Sequence, residues 1–470
     1  MRYLQKRSAS NLPFFWARGQ PPLSNANIPP SNPLSCKKNI SLKTILLLGA
    51  GKSATVLIDY LLKETEANKW KFIIADANKE QILLKTNNSR FAEAIQIDIT
   101  KSEERESLIK RAHVVISMMP PALHFLIAKD CVEYRKHLLT ASYLDKNIKS
   151  LQQEIGHRKL FFLCEAGLDP GIDHMSAMKI IDGIKNKGGV ITSFKSHCGG
   201  LIAPESDDNP WHYKISWNPR NVVMAGKAGA EYKIENTIVN KSYQKLFQDC
   251  LPVNVDGLTD LVAYPNRDSL SYIPIYKLDA AQTFIRTTLR HPSFCTGWNA
   301  IVQANLANET DAINTIGLTF LKWSAAITSF TNEDNKAMLS YLGLFEETLV
   351  PATAKTSADV LQFLLETKLA MQPTDKDMIV MLHEIEYKLA EKTHKIESSL
   401  IVKGEDNMRT AMAKTVGLPL GIAATLILNG TIKLVGLYIP TIKEIYGPLL
   451  KELEYAGIGF NEKIIDLNNN

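Results

Sequence analysis

Gly49, Gly51 and Ala54 follow directly on Thr44-Ile45-Leu46-Leu47-Leu48, a continuous apolar run of the kind a buried parallel strand requires. Beyond them, Val56, Leu57, Tyr60 and Leu61 recur at helical spacing. A strand, a glycine turn and a helix in that order can cradle a phosphate. The first glycine permits the tight turn, the second lets a pyrophosphate approach, and Ala54 lets the helix pack on the strand. Free N–H groups at the helix start make Lys52, Ser53 and Ala54 candidate phosphate contacts. Residues 71–75 read as a second strand ending in Asp76. A carboxylate there accepts ribose hydroxyls and repels a 2′-phosphate, which argues for NAD as the cofactor, while Lys79 keeps NADP open. Residues 95–98, 114–120 and 137–142 read as further strands, whose ends add Asp98, Ile99, Ser117 and Met119 to the candidate cofactor contacts.

Hydride transfer needs groups that hold a substrate beside such a site. Asp169 lies in Gly167-Leu168-Asp169-Pro170-Gly171, a turn in which an aspartate can simply bond its own backbone. Arginine clamps anionic groups bidentately, and Arg286, four residues before Arg290, would share its face if the stretch is helical. Cys198, beside two glycines, reads as a buried inert thiol. His113, His124, His137 and His197 lack metal-ligand spacing, so no metal is expected.

The elements that position these groups follow from composition. The chain has 470 residues, 45% hydrophobic and 22% charged, as soluble multidomain proteins do. Its net charge of +5 is concentrated in residues 1–43, which carry seven basic side chains and no acidic one. The rest is nearly neutral, so no nucleic-acid footprint is expected. The apolar run 416–428 is shorter than the roughly 20 residues of a spanning helix, so no membrane partner is expected. Six dispersed cysteines without a C-x-x-C pair read as reduced thiols of an intracellular, cytoplasmic protein. Residues 1–42, with six of the 21 prolines in the first forty, read as a disordered tail. Their acid-free, basic composition also fits a transit peptide, which would make the location mitochondrial.

Four later segments carry a resemblance. They are Thr140-Ala141-Ser142-Tyr143; Gly167-Leu168-Asp169-Pro170-Gly171-Ile172-Asp173-His174-Met175; Cys198-Gly199-Gly200-Leu201 running on to Tyr213-Lys214-Ile215-Ser216-Trp217; and Tyr264-Pro265-Asn266-Arg267-Asp268-Ser269. Together with Lys376-Asp377-Met378-Ile379-Val380-Met381 and residues 411–419, they resemble saccharopine dehydrogenase of the glutamate-forming type, the NAD-using form most closely. The resemblance spans residues 43–460. It implies oxidation of the secondary amine of saccharopine, imine hydrolysis to L-glutamate and 2-aminoadipate 6-semialdehyde, and a place in lysine metabolism. By the same resemblance, Ala141 and Ser142 face the cofactor. Tyr143, Asp169, Asn218, Arg267, Thr288 and Arg290 bind the substrate, and Asp169 and Tyr143 are the catalytic candidates. Asp173, His174 and Glu165 are alternative proton acceptors. Thr287 departs from the family's glycine, and Trp211-His212 from a more usual leucine-containing pair, here expected on the surface of a strand turn.

The implied fold is α/β: an N-terminal Rossmann dinucleotide-binding domain, residues 43–168, completed by 408–470. An inserted α+β substrate and dimerisation domain, 169–407, includes a helical subdomain near 296–371. Its expected strands cover 191–198, 213–217, 261–264 and 283–289, with a late hairpin at 377–383 and 387–389. A helix over 408–428 would break or start at Pro419. A homodimer is expected. Two other readings are a carboxynorspermidine-type dehydrogenase, whose substrate carries fewer carboxylates, and a catalytically silent NAD-binding regulatory module.

Overall fold

Apolar runs buried on both faces set the first sheet. In the computed structural model, which describes residues 42–469, every residue of β1 (Thr44–Leu48) is buried. It is followed by β2 (Lys71–Asp76), β3 (Ala92–Gln96), β4 (Val114–Ser117), β5 (His137–Thr140) and β6 (Phe161–Leu163). These pair in parallel in the order β6-β5-β4-β1-β2-β3, with helices on both faces. The order reverses between β1 and β4, and open α/β sheets bind ligands at the carboxyl ends of their strands at such a point.

The remaining strands are β7 (Val190–Ile202), β8 (Ala230–Ile234), β9 (Thr237–Lys241), β10 (Leu251–Pro252), β11 (Val262–Pro265), β12 (Arg267–Asp268), β13 (Thr283–Arg290), β14 (Asp377–Leu389), β15 (Lys392–Lys403), β16 (Gly436–Tyr438) and β17 (Asn461–Asp466). A ten-stranded mixed sheet runs β10-β11-β13-β7-β14-β15-β17, with β8, β9 and β12 attached beside β13. The C-terminal segment divides between the two sheets. β16 extends the first sheet beside β6, whereas β17 pairs antiparallel with β15, so residues 461–466 belong to the second sheet rather than the first.

Other local expectations are corrected. Residues 213–217 form no strand, and their ladder pairing is a single isolated bridge from Ile215 to Ala370. Their large side chains are instead drawn into a helical core with Phe294 and Trp298. Trp211 is not on a surface turn but fully buried there, its indole N–H donating to the Met338 carbonyl at 2.7 Å. The helices Pro292–Gln303, Lys336–Leu342 and Ser357–Lys368 close over this core. Residues 377–389 form one continuous strand, and its hairpin partner is β15. The helix Ala411–Leu428 passes through Pro419 without breaking. It is long and apolar enough to cross a membrane, yet 83% of it is buried, packed along the helix Thr55–Asn68 that follows the glycine turn. The expectations of a disordered tail or transit peptide concern residues that lie outside those described, apart from Leu42.

Candidate active site

The glycine turn is shaped by close approach. Gly49 has φ +98°, and a Cβ there would lie 2.9 Å from the Met118 carbonyl oxygen after β4, so only glycine fits without strain. At Gly51 nothing lies within 4 Å of where a Cβ would stand, and the backbone there is open to a phosphate. Ala54 is fully buried under the helix it opens. Asp76 ends β2 as expected, but its carboxylate is already engaged. One oxygen accepts from the Ala50 N–H at 2.6 Å and the other from the Asn78 N–H at 2.9 Å, which locks the turn to the end of β2. A cavity of about 420 Å³ beside it is lined by Asp76, Asp98, Ile99, Lys101, Glu104 and Met119, so four expected cofactor contacts meet at one sheet edge. Hydrogen bonds from Thr100 hold the Asp98 carboxyl below its ordinary range, which keeps it anionic.

Two contributors here were missed in the sequence. Lys85, on the helix Lys79–Thr86, donates to the Gly51 carbonyl, and burial lowers its pKa to about 8. His124 bridges Ser117 Oγ at 2.8 Å and Ser142 Oγ at 2.7 Å, joining the ends of β4 and β5. Burial holds its imidazole down at about 4, so it is a neutral tether between two cofactor-edge serines. Its value lies in a seven-residue offset from Ser117, which has no motif of its own.

The substrate side is built by β13. In a strand, alternate residues share a face, so Arg286, Thr288 and Arg290 project together. The shared face expected for Arg286 and Arg290 is therefore real, through a period of two rather than a helical turn. Arg286 is 1% exposed and donates to both Asp169 and, at 2.8 Å, Asp173, with its guanidinium over the Tyr272 ring. The expected turn role of Asp169 belongs to Asp173, whose carboxylate accepts the Gly171 N–H at 2.6 Å. Asp169 instead pairs with Arg286, and the Tyr143 hydroxyl donates to it at 3.5 Å.

Exposure ranks the proton acceptors that the sequence left open. The Asp169 side chain is 12% exposed, against 1% for Asp173 and 0% for His174. Burial pushes the Asp169 carboxyl upward, and Arg286 offsets this only in part. For Asp173, burial pushes up too, but His174, Arg286 and the Gly171 N–H outweigh it and hold the group below the ordinary range. Glu165 and His174 form the bed beneath: His174 Nε2 to Glu165 at 2.9 Å, His174 Nδ1 to the Tyr276 hydroxyl at 2.5 Å, and the Tyr272 hydroxyl donating to Glu165 at 3.0 Å. Glu165 also accepts the Leu144 N–H at 2.9 Å, which fixes the loop that carries Tyr143.

Arg290 is 5% exposed and seated between the Tyr213 and Phe294 rings, 5.2 Å from each centroid. It donates only to backbone carbonyls, Leu289 at 2.8 Å and Gly200 at 3.5 Å, and its Nε has no hydrogen-bond partner. Arg267 is exposed, with its guanidinium 5.2 Å from the Tyr143 ring centroid. Neither arginine has an acidic partner among the described residues, unlike Arg286. Thr288 stands opposite Tyr264 on the neighbouring strand. Asn218 serves as a helix cap, its side-chain carbonyl oxygen accepting the Arg220 N–H at 2.9 Å. Among the described residues no three His, Cys, Asp or Glu side chains gather into a metal-sized cluster.

Residues 45–161 match the saccharopine dehydrogenase NADP binding domain model, and residues 167–458 match the saccharopine dehydrogenase C-terminal domain model. This chain belongs to the saccharopine dehydrogenase family. It is 32% identical to the saccharopine dehydrogenase [NADP(+), L-glutamate-forming] of Saccharomyces cerevisiae, with 90% of this chain and 99% of that protein covered. The apo structure of the histidine-tagged saccharopine dehydrogenase (L-Glu forming) from the same organism superimposes with a TM-score of 0.81 at 31% identity, covering 90% of this chain and all of that one. The mouse mitochondrial alpha-aminoadipic semialdehyde synthase is 33% identical over 89% of this chain but only 47% of its own length. The chain thus spans about half the length of the first group of curated relatives it matches.

Proposed function

We propose that this chain oxidises the secondary amine of saccharopine with NAD, releasing L-glutamate and 2-aminoadipate 6-semialdehyde after imine hydrolysis. One observation carries the reading. Arg267, beside the Tyr143 ring, lies next to the acid Asp169, and the buried Arg290, on the same strand face as Arg286, is a second guanidinium without an acidic partner among the described residues. A buried arginine left unpaired is costly, and a substrate with three carboxylates supplies the missing partners.

The residues present fit a nicotinamide dinucleotide: the open backbone at Gly51 admits the pyrophosphate, and Asp76 and Asp98 border a cavity sized for the adenosine half. A nicotinamide held there would supply the hydride acceptor. The chain's own residues do the rest. Arg267 and Arg290 hold carboxylates so that the amine lies beside Asp169. The ionised Asp169 takes the ammonium proton, because only the neutral amine can release hydride to become an imine. Tyr143, whose hydroxyl burial keeps protonated, orients that carboxylate as a donor. Asp169, now an acid, can return its proton as water adds to the imine carbon.

Cofactor choice sets the named fungal relatives against the local electrostatics. Their names specify NADP(+), and the matched domain model is an NADP one. Around the cavity here, Asp76 and Asp98 are carboxylates, and Lys101 is paired with Glu104 at 3.3 Å. Like charges juxtaposed cost several kcal/mol. We therefore expect kcat/KM to favour NAD over NADP by about 100-fold, and Asp76→Ala to shrink that ratio by about 10-fold. Equal use of the two cofactors by the unaltered chain removes the argument.

The reading includes a homodimer. Ile401 and Ile464, on strands β15 and β17 of the second sheet, are 42% and 64% exposed, apolar surface that a second copy would cover. We infer a cytoplasmic location from the dispersed cysteines, with the mitochondrion as the alternative; a relative from mouse is named mitochondrial, and fractionation of cells expressing the full chain tests the two. The carboxynorspermidine-type and silent-module readings both leave the unpaired Arg267 and Arg290 unexplained.

A further inference from the structure

The glycine turn rests on a buried ammonium. Lys85 is 8% exposed, near the end of the helix Lys79–Thr86, and its Nζ donates to the Gly51 carbonyl at 2.5 Å. An ammonium carries three donors, yet among the described residues this is the one bond it makes, and no carboxylate pairs with it. The acids that act on it are committed elsewhere. Asp76, at the end of β2, accepts the Ala50 and Asn78 N–H groups, and Asp59, on the helix Thr55–Asn68, pairs with Arg409 at 2.9 Å. β3 carries one charged residue, Glu93, which pairs with Arg111, and Lys52 of the turn is exposed. A partly satisfied buried cation is costly, and an anion bound close to the turn would offset that cost.

The bond to Gly51 also sets a direction. The same carbonyl accepts the Ala54 N–H at 3.0 Å, so it is held by two donors. The Gly51–Lys52 peptide is trans, and in a planar trans unit the C=O and N–H point opposite ways. Drawing the carbonyl onto Lys85 therefore turns the Lys52 N–H away from the buried ammonium. Gly51 and Lys52 are themselves exposed, with nothing within 4 Å of where a Cβ at Gly51 would stand.

We propose that Lys85 is a positioning residue for the cofactor: its ammonium fixes the turn with the Lys52 N–H towards the pyrophosphate and adds positive charge beneath it, so the dinucleotide binds tightly only while Lys85 keeps its proton. This rests on the dinucleotide site proposed above. The proton is lost within an accessible range, because burial lowers the ammonium to about 8, with Asp76 and Asp59 offsetting part of the effect. A bound anion favours the ammonium and raises that value, so binding at alkaline pH must take up a proton. Affinity is therefore full below the value in the free chain and weakens as pH rises through it. It levels off once the bound form also loses the proton.

The test titrates the full chain with NADH, followed by nucleotide fluorescence between about pH 7 and pH 9.5, with NADPH in parallel. Calorimetry in buffers of different ionisation heat counts the protons exchanged. The unaltered chain should bind about 10-fold more weakly at the upper end, the loss of one charge-assisted bond. Binding should take up a proton near pH 8.5 and far less at pH 7. Lys85→Met, uncharged and of similar length, should bind at every pH as weakly as the unaltered chain does at the alkaline end. Lys85→Arg stays charged, so its Kd should be level across the range whatever its absolute value, which also controls for alkaline unfolding. A merely structural lysine would change the melting temperature in the variants but give no slope in Kd. A level Kd in the unaltered chain, or the same slope in Lys85→Arg, overturns the assignment. A chain that binds neither nucleotide at pH 7 overturns the dinucleotide reading beneath it. Binding is read without turnover, so a chain that fails to oxidise saccharopine leaves the outcome interpretable.

Discussion

Replacing Arg290 by glutamine is expected to raise the KM for saccharopine about 100-fold, the loss of a charge-assisted bond worth up to about 3 kcal/mol, with a much smaller change in kcat. Arg290 is held by two aromatic rings and by backbone carbonyls, and no acidic side chain uses its charge. Its removal takes away binding common to ground state and transition state, so KM rather than kcat carries the effect. Arg290→Lys keeps a charge but loses the planar fork, and should fall between glutamine and arginine. The exposed Arg267 should cost less on the same change, about 10-fold in KM, because water competes for its partner. Steady-state kinetics across the three variants checks the order. An unchanged KM in Arg290→Gln, in protein with the native melting temperature, removes Arg290 from the substrate.

Asp169→Asn is expected to lower kcat by about 10²- to 10⁴-fold, the usual contribution of a positioned acid–base group. The sign of the pH dependence follows from the site. Burial raises the Asp169 carboxyl above its ordinary range, so the carboxylate is lost as pH falls through that raised value. The acid limb of kcat/KM should therefore lie above the ordinary aspartate range, and Asp169→Asn should abolish it. Asparagine still offers an oxygen to Arg286, which keeps Asp173 as its second partner, so the fold should hold. Asp173→Asn is the contrast. That group is held below its ordinary range and is sealed from the cleft, so the change should lower the melting temperature and leave the acid limb in place. A limb that survives in Asp169→Asn assigns the proton to another group.

Much of the first sheet was legible because its strands are buried on both faces, so their apolar runs stand out, and because the glycine turn and Asp76 occupy fixed positions on it. The second sheet was harder. β15 alternates polar and apolar residues and carries no continuous apolar run, while β8 and β9 form a short, partly exposed hairpin with little apolar signal. Residues 213–217 look like a strand for the opposite reason: they are aromatic and buried, but against helices rather than in a ladder. Within the site, motif membership brought out Asp169, Arg267 and Arg290. It could not reveal that Arg286 neutralises the two acids, that His124 ties Ser117 to Ser142, or that Asn218 caps a helix. Those roles depend on contacts between distant segments, which no local pattern encodes.

The most direct measurement is the initial rate of NADH formation by the purified chain with saccharopine, with NADP in parallel and the amino-acid products identified. Rapid NAD reduction with L-glutamate released in equal amount to NADH is the predicted result. Lysine and 2-oxoglutarate as products, or no turnover with either cofactor in protein shown to bind NAD, would contradict the account.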